Sequence, residues 1–167
     1  MLFRSDSICA DADAVQRARA RWPGALLVQE FLSGREFAVA LWGRCGPEHA
    51  SIGETLFRGD LKLNSYESKW DTESAEYADS PLDYRTAIDA ALREQLLAAA
   101  RGAWHAAGAR GYLRVDLRCN AQGVACVLDV NPNSAIAPGV GICRAVEEAG
   151  WEWADFVRLQ LESARVR

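Results

Sequence analysis

The feature that most constrains this chain is a strict alternation in its last third. In Tyr112-Leu-Arg-Val-Asp-Leu-Arg118 the charged residues Arg114, Asp116 and Arg118 interleave with Leu113, Val115 and Leu117. Successive side chains of a strand point to opposite faces, so the three charges share one face and the aliphatic residues the other. A second β-rich run, 124–130, follows the turn signal Asn120-Ala-Gln-Gly123, and the same rule groups Val127, Asp129 and Asn131 against Cys126, Leu128 and Val130. With Asn120 opposite Gly123, Arg114 faces Asp129 and Asp116 faces Val127, leaving Asp116 diagonal to Asp129 at about 7–8 Å between Cα atoms. Two readings follow. The two carboxylates and the Asn131 amide form an all-oxygen set suited to a hard divalent cation; or the face is simply solvated, with a surface Arg114–Asp129 ion pair worth about 0–1 kcal/mol. A slip of one residue would turn Asp129 into the core.

The neighbouring segments suggest what this hairpin packs on. Residues 14–21 read as a short helix stopped by Pro23 and Gly24. Residues 26–32 (LLVQEFL) and 36–42 (EFAVALW) read as two strands joined at Ser33-Gly34-Arg35, with a weaker third strand over 51–57. Residues 58–81 form a long polar stretch, a pattern common in functional loops. Ser80-Pro81 looks like a cap and first-turn proline opening a helix to about Ala107, ended by Gly108. Its stripe of Ile88, Ala91, Leu92, Leu96 and Ala99 would lie on a sheet. Two short helices, 142–149 and 153–164, close the chain after a loop rich in Pro, Gly and Asn. This order predicts an α+β fold, a mainly antiparallel sheet packed by helices.

Composition narrows the function classes. With 167 residues, half of them hydrophobic, the chain suits one buried core, here taken as a single domain over 1–167. A net charge of −4 argues against nucleic acid and anionic membranes as partners. No run approaches a membrane span or a signal peptide. The five cysteines are odd in number and scattered, which fits reduced, inert thiols in a cytoplasmic protein. Neither His49 nor His105 lies near the charged hairpin, and both read as surface or packing residues.

Four separated tracts, VQEFLSGREF at 28–37, YESK at 66–69, GYLRVD at 111–116 and LDVNPN at 128–133, resemble the C-terminal region of D-alanine:D-alanine ligase-like ATP-grasp enzymes in order and spacing. The resemblance covers residues 28–142 as the ATP- and metal-binding core, with 1–27 poorly matched and 143–167 as closing helices. It implies that Glu30, Phe31 and Leu32 line an adenine and that Glu36 takes the ribose, with Gln29 standing where an acid is common. It further implies that Lys69 contacts phosphate, that Arg114 is the catalytic arginine steadying the transferred phosphate, and that Asp116, Asp129 and Asn131 hold Mg2+ or Mn2+ beside ATP. Family enzymes phosphorylate a carboxylate and let an amine attack the acylphosphate, a chemistry of positioning and charge stabilisation.

A full enzyme of this kind also has an N-terminal part that these tracts do not cover. The resemblance therefore implies a truncated or split ligase with little activity alone, joined by a missing N-terminal half or by a second copy in a homo-oligomer. The rival expectation is a non-catalytic remnant that serves as a protein-binding or assembly module.

Overall fold

The computed structural model describes residues 8–22, 24–58, 62–63, 73, 80–139 and 141–165. They divide into two units, Met1–Leu32 with Leu56–Pro81, and Ser33–Thr55 with Leu82–Arg167.

The second unit is built on one antiparallel sheet. Its strands are β1 (Glu36–Trp42), β2 (His49–Thr55), β3 (Leu82–Asp83), β4 (Tyr112–Cys119) and β5 (Ala125–Asn131), in the order β3-β2-β1-β4-β5. The period of two places Phe37, Val39 and Leu41 beside Leu117, Val115 and Leu113, and these pairs line one face. Helix α2 (Ala90–Ala106) covers that face with Leu92, Leu96, Ala100 and Trp104, one residue per turn of the helix. Asp89 caps it, its carboxylate accepting from Leu92 N at 2.9 Å. Gly108, with φ +60°, turns the chain out of the helix.

The opposite face is divided along the strands. At its Trp42 and Tyr112 end it is covered by helix α3 (Gly141–Glu148) and helix α4 (Trp153–Arg165), whose Ile142, Cys143, Val146 and Phe156 pack on Trp42 and Ala40. His49 packs edge-on against Trp151 at 4.5 Å and tilted against Trp42 at 5.7 Å between ring centroids, a packing role. The other end of this face carries the charges.

The first unit contains helix α1 (Ala12–Arg21), capped by Asp11, whose side chain accepts from Ala14 N at 2.7 Å. Leu56 N also donates to Pro81 O there, at 2.9 Å.

Three sequence expectations are corrected. Residues 26–32 form no strand despite their β-rich composition, because strand propensity is realised only in a ladder, and no ladder includes them among the described residues. The hairpin at Ser33-Gly34-Arg35 is accordingly absent. Gly34 N instead donates to Cys119 O at 2.9 Å and Cys119 N to Arg35 O at 2.8 Å, extending the β1–β4 pairing backwards. The long helix starts at Ala90 and not at Pro81, since Leu82–Asp83 are drawn into the sheet as β3 on the edge of β2.

All five cysteines are free thiols. Among the described residues no helix is long and apolar enough to cross a membrane.

Candidate active site

The charged face is best read as rows running across the strands. In the first row Thr55, Glu36, Arg118 and Cys126 are register partners; in the second Gly53, Ala38, Asp116 and Asp129; in the third Ser51, Ala40, Arg114 and Asn131. Small residues on β1 and β2 form a low floor, and β4 and β5 supply the charges. Asp116 and Asp129 are therefore directly opposed on one face, a relation that puts Cα atoms about 4.5–5.5 Å apart.

This register differs from the one expected of a simple turn. Asn120 pairs with Val124, through Asn120 N donating to Val124 O at 2.9 Å, and a β-bulge interrupts the β4–β5 ladder between Asp116 and Leu117, leaving Leu128 as the extra residue. The reason lies in two competing alternations. Keeping Ala125 and Val127 towards the α2 side would by strict alternation drag Asp129 there too. One additional residue reconciles them, so that Val127 faces Leu117 while Asp129 faces Asp116. Cys126, and not Val127, consequently shares the acid face.

Side-chain contacts then separate the charges. Arg114 grips Asp116 with both arms of its fork, Nε donating to Oδ1 at 2.8 Å and Nη2 to Oδ2 at 3.0 Å. This is the pairing found in place of the expected Arg114–Asp129 contact. Asp129 is exposed on the edge strand. The Asn131 amide oxygen accepts from Asn133 N at 3.0 Å, which orients it at the start of the following loop, and Tyr112 Oη donates to Ser134 O at 3.3 Å further along. Arg118 and Glu36 form a buried ion pair, Nη1 to Oε2 at 3.2 Å, with side chains only 4% and 8% exposed. Burial lowers the pKa of the Arg118 guanidinium, and Glu36 opposes that shift.

The structure also brings in Tyr84, which sequence reading placed inside the long helix. A Cβ at Gly53 would lie 2.9 Å from Tyr84 Cε1, so the ring stands over the glycine in the acid row. Burial pushes the Tyr84 phenol up to about 12 against the pull of Arg144 and Arg114, which keeps it neutral. The tyrosine has no flanking sequence pattern that marks it, because its place depends on β3 joining the sheet.

Of the residues singled out in the sequence, Glu36, Arg114, Asp116, Asp129 and Asn131 meet on this face. Glu30 and Phe31 are exposed and Leu32 half-buried in the first unit. Lys69 lies outside the described residues. No group of three or more His, Cys, Asp and Glu residues able to hold a metal exists among the described residues. A cation here would depend on two carboxylates, an amide oxygen and atoms of its own ligand. That donor set is all oxygen and fits magnesium, which commonly takes one or two carboxylates together with substrate phosphates.

An antiparallel sheet backed by helices matches the C-terminal domain of the ATP-grasp class. The chain belongs to the D-ala D-ala ligase C-terminus family, whose model matches residues 6–162. It is 29% identical over 150 residues to the D-alanine--D-alanine ligase of Stutzerimonas stutzeri (strain A1501), a match spanning 89% of this chain and 44% of that protein. Among solved structures it resembles the D-alanine--D-alanine ligase from Bacillus anthracis complexed with ATP, with TM-score 0.62, 16% identity, and 83% of this chain against 39% of that one. The D-alanine-D-alanine ligase from Coxiella burnetii is similar at TM-score 0.64 and 18% identity, over 92% of this chain and 38% of that one. These likenesses establish the fold, and the chain spans less than half the length of the relatives it matches.

Proposed function

We propose that this chain is the ATP- and magnesium-binding part of a carboxylate–amine ligase that works through an acylphosphate, with little activity by itself. The observation that supports this most is the direct opposition of Asp116 and Asp129, with Arg114 and Asn131 in the adjoining row. Bound at this face, Mg-ATP would supply the phosphoryl group and a cation that neutralises its oxygens. Asp116, Asp129 and Asn131 would hold the cation. Arg114 would exchange Asp116 for phosphate oxygens, since a guanidinium suits both partners in the same bidentate manner. Glu36 would accept the ribose hydroxyls, Glu30, Phe31 and Leu32 would line the adenine, and Lys69 would contact phosphate. Small carboxylate and amine substrates, a cytoplasmic location, and completion by an N-terminal half or a second copy belong to the same proposal.

A second reading has one observation in its favour: Arg114 already occupies both oxygens of Asp116, as it would in a remnant that has given up its metal and serves as an assembly module. One titration separates the two. Millimolar Mg-ATP should raise the melting temperature of the chain, because a ligand that binds only the folded state stabilises it by mass action. Asp116→Asn should abolish that rise. No shift with the unaltered chain would favour the remnant.

A further inference from the structure

Beyond Gly53, past the β2 end of the row that holds Asp116, stands an arginine with no carboxylate partner among the described residues. Leu82 and Tyr84 lie on the same side of the sheet as Gly53, where a Cβ would meet Tyr84 Cε1 at 2.9 Å and Leu82 Cγ at 3.1 Å. Arg144, exposed on α3, reaches across to them: its Cζ lies 5.6 Å over the Tyr84 ring, and its Nη2 donates to Leu82 O at 3.0 Å. These contacts hold the side chain without neutralising it. Glu148, one helical turn further on, pairs with Arg85 at 3.8 Å instead. The bond to Leu82 O uses one of the five N–H donors of the guanidinium, and no other acceptor for it occurs among the described residues.

Between this corner and Asp116 the floor is low. Gly53 and Asp116 are two strand spacings apart, about 9–10 Å, with only Ala38 between them. Ala38 is half-buried, so solvent reaches the slot. Arg144 and Arg114 both act on the Tyr84 phenol, which burial keeps neutral, and its hydroxyl has no hydrogen-bond partner among the described residues. A neutral phenol can donate to an anion. The proposed cation at Asp116 and Asp129 draws a nucleotide's phosphates to the β4–β5 side, which leaves the Ala38 slot to the substrate. There Arg114 serves the reacting carboxyl, and the charge of Arg144 is one more than a single carboxylate would answer. We propose that Arg144, with the Tyr84 hydroxyl as a second donor, binds another carboxylate of the substrate, so that the ligase takes a dicarboxylate or an acidic amino acid. This deepens the ligase reading and rests on it.

The test is calorimetric titration of the chain with aspartate, glutamate and glutarate, each set against the compound that lacks one carboxylate: alanine, 2-aminobutyrate and butyrate. Mg-ATP is titrated separately. In at least one pair the unaltered chain should prefer the diacid by about tenfold or more, the usual scale for a hydrogen bond between charged groups. Arg144→Met keeps helix propensity and a soft contact with the ring, and should bring that ratio below about threefold while Mg-ATP binds as before. Tyr84→Phe, which removes one hydroxyl and keeps the ring, should lower the ratio by about threefold and carries the readout should Arg144→Met fail to fold. Equal binding within every pair by the unaltered chain, or an undiminished ratio in a folded variant, would overturn the subsite while Mg-ATP binding left the ligase reading standing. A matching loss of Mg-ATP affinity in Arg144→Met would put phosphate on this arginine and overturn the carboxylate assignment. Binding of neither Mg-ATP nor any acid by the unaltered chain would overturn the ligase reading and this inference together.

Discussion

Two arginine–carboxylate pairs stand side by side on β4, and they are made differently. Arg118–Glu36 crosses from β4 to β1, is nearly inaccessible, and adds a bond to Gly34 O. Arg114–Asp116 closes within a single strand, with side chains 27% and 15% exposed. The first joins strands 82 residues apart in sequence, so losing one partner takes the opposite charge away from a buried group. The second links nothing that the backbone has not already linked, and water or a ligand can replace either partner. Identical chemistry therefore yields a fixed support in one row and an exchangeable contact two residues away.

The sharpest way to break this comparison is to remove one arginine at a time. Arg118→Met should destabilise the chain by about 3–5 kcal/mol in urea unfolding, because the buried Glu36 carboxylate loses its guanidinium partner. Replacing both partners, as in Glu36→Leu with Arg118→Leu, should recover most of that loss, since a buried pair is often exchangeable for apolar residues of similar volume. A single substitution that costs no more than a surface ion pair would show that the two rows are not different in kind.

A third pair sharpens the contrast from the α2 face. Arg35 grips Glu54 through two bonds of 2.7 Å and also donates to Ala87 O at 3.0 Å, but its side chain is 40% exposed. The hydrogen bond from Arg35 holds the Glu54 carboxyl below its ordinary value, against the opposing effect of burial. A depressed carboxylate pKa contributes stability that is present above the unfolded value, about 4.3, and is lost as pH falls through the folded one. Stability should accordingly decline on acidification below about pH 4.3, and Glu54→Gln should flatten that limb. At neutral pH the same substitution should cost about 1–2 kcal/mol, less than Arg118→Met because solvent screens Arg35.

How far these pairs could be read from sequence follows from the distance over which each is decided. Strands 36–42 and 112–119, the turn at Asn120–Gly123 and the stop at Gly108 are local patterns, and the structure keeps them. The sharing of one face by Arg114, Asp116 and Arg118 is equally local. Which residue of β1 faces which of β4 is set by packing between segments some eighty residues apart, so the Glu36–Arg118 pair left no trace in the alternation. Leu128 shows a subtler limit: each half of β5 alternates correctly, and only the conflict between Val127 facing Leu117 and Asp129 facing Asp116 demands a bulge. Residues 26–32 fail for the opposite reason, as their local preference is strong and no ladder takes it up among the described residues.

The smallest effect on stability should come from the most reactive of these positions. Arg114→Ala removes a partly exposed, within-strand pair and should change unfolding free energy by no more than about 1 kcal/mol. Its consequence for the metal should run the other way. With both Asp116 oxygens released from the guanidinium, a divalent cation no longer competes with an internal one, and Mn2+ titrated without nucleotide should bind more tightly to the variant than to the unaltered chain. When Mg-ATP is the ligand the sign should reverse, because the same arginine is then missing from the phosphate. If free Mn2+ bound both forms alike while Mg-ATP binding fell, Arg114 would be a phosphate ligand that does not guard the acid pair; if neither changed, the contact within β4 would belong to the fold and not to the site.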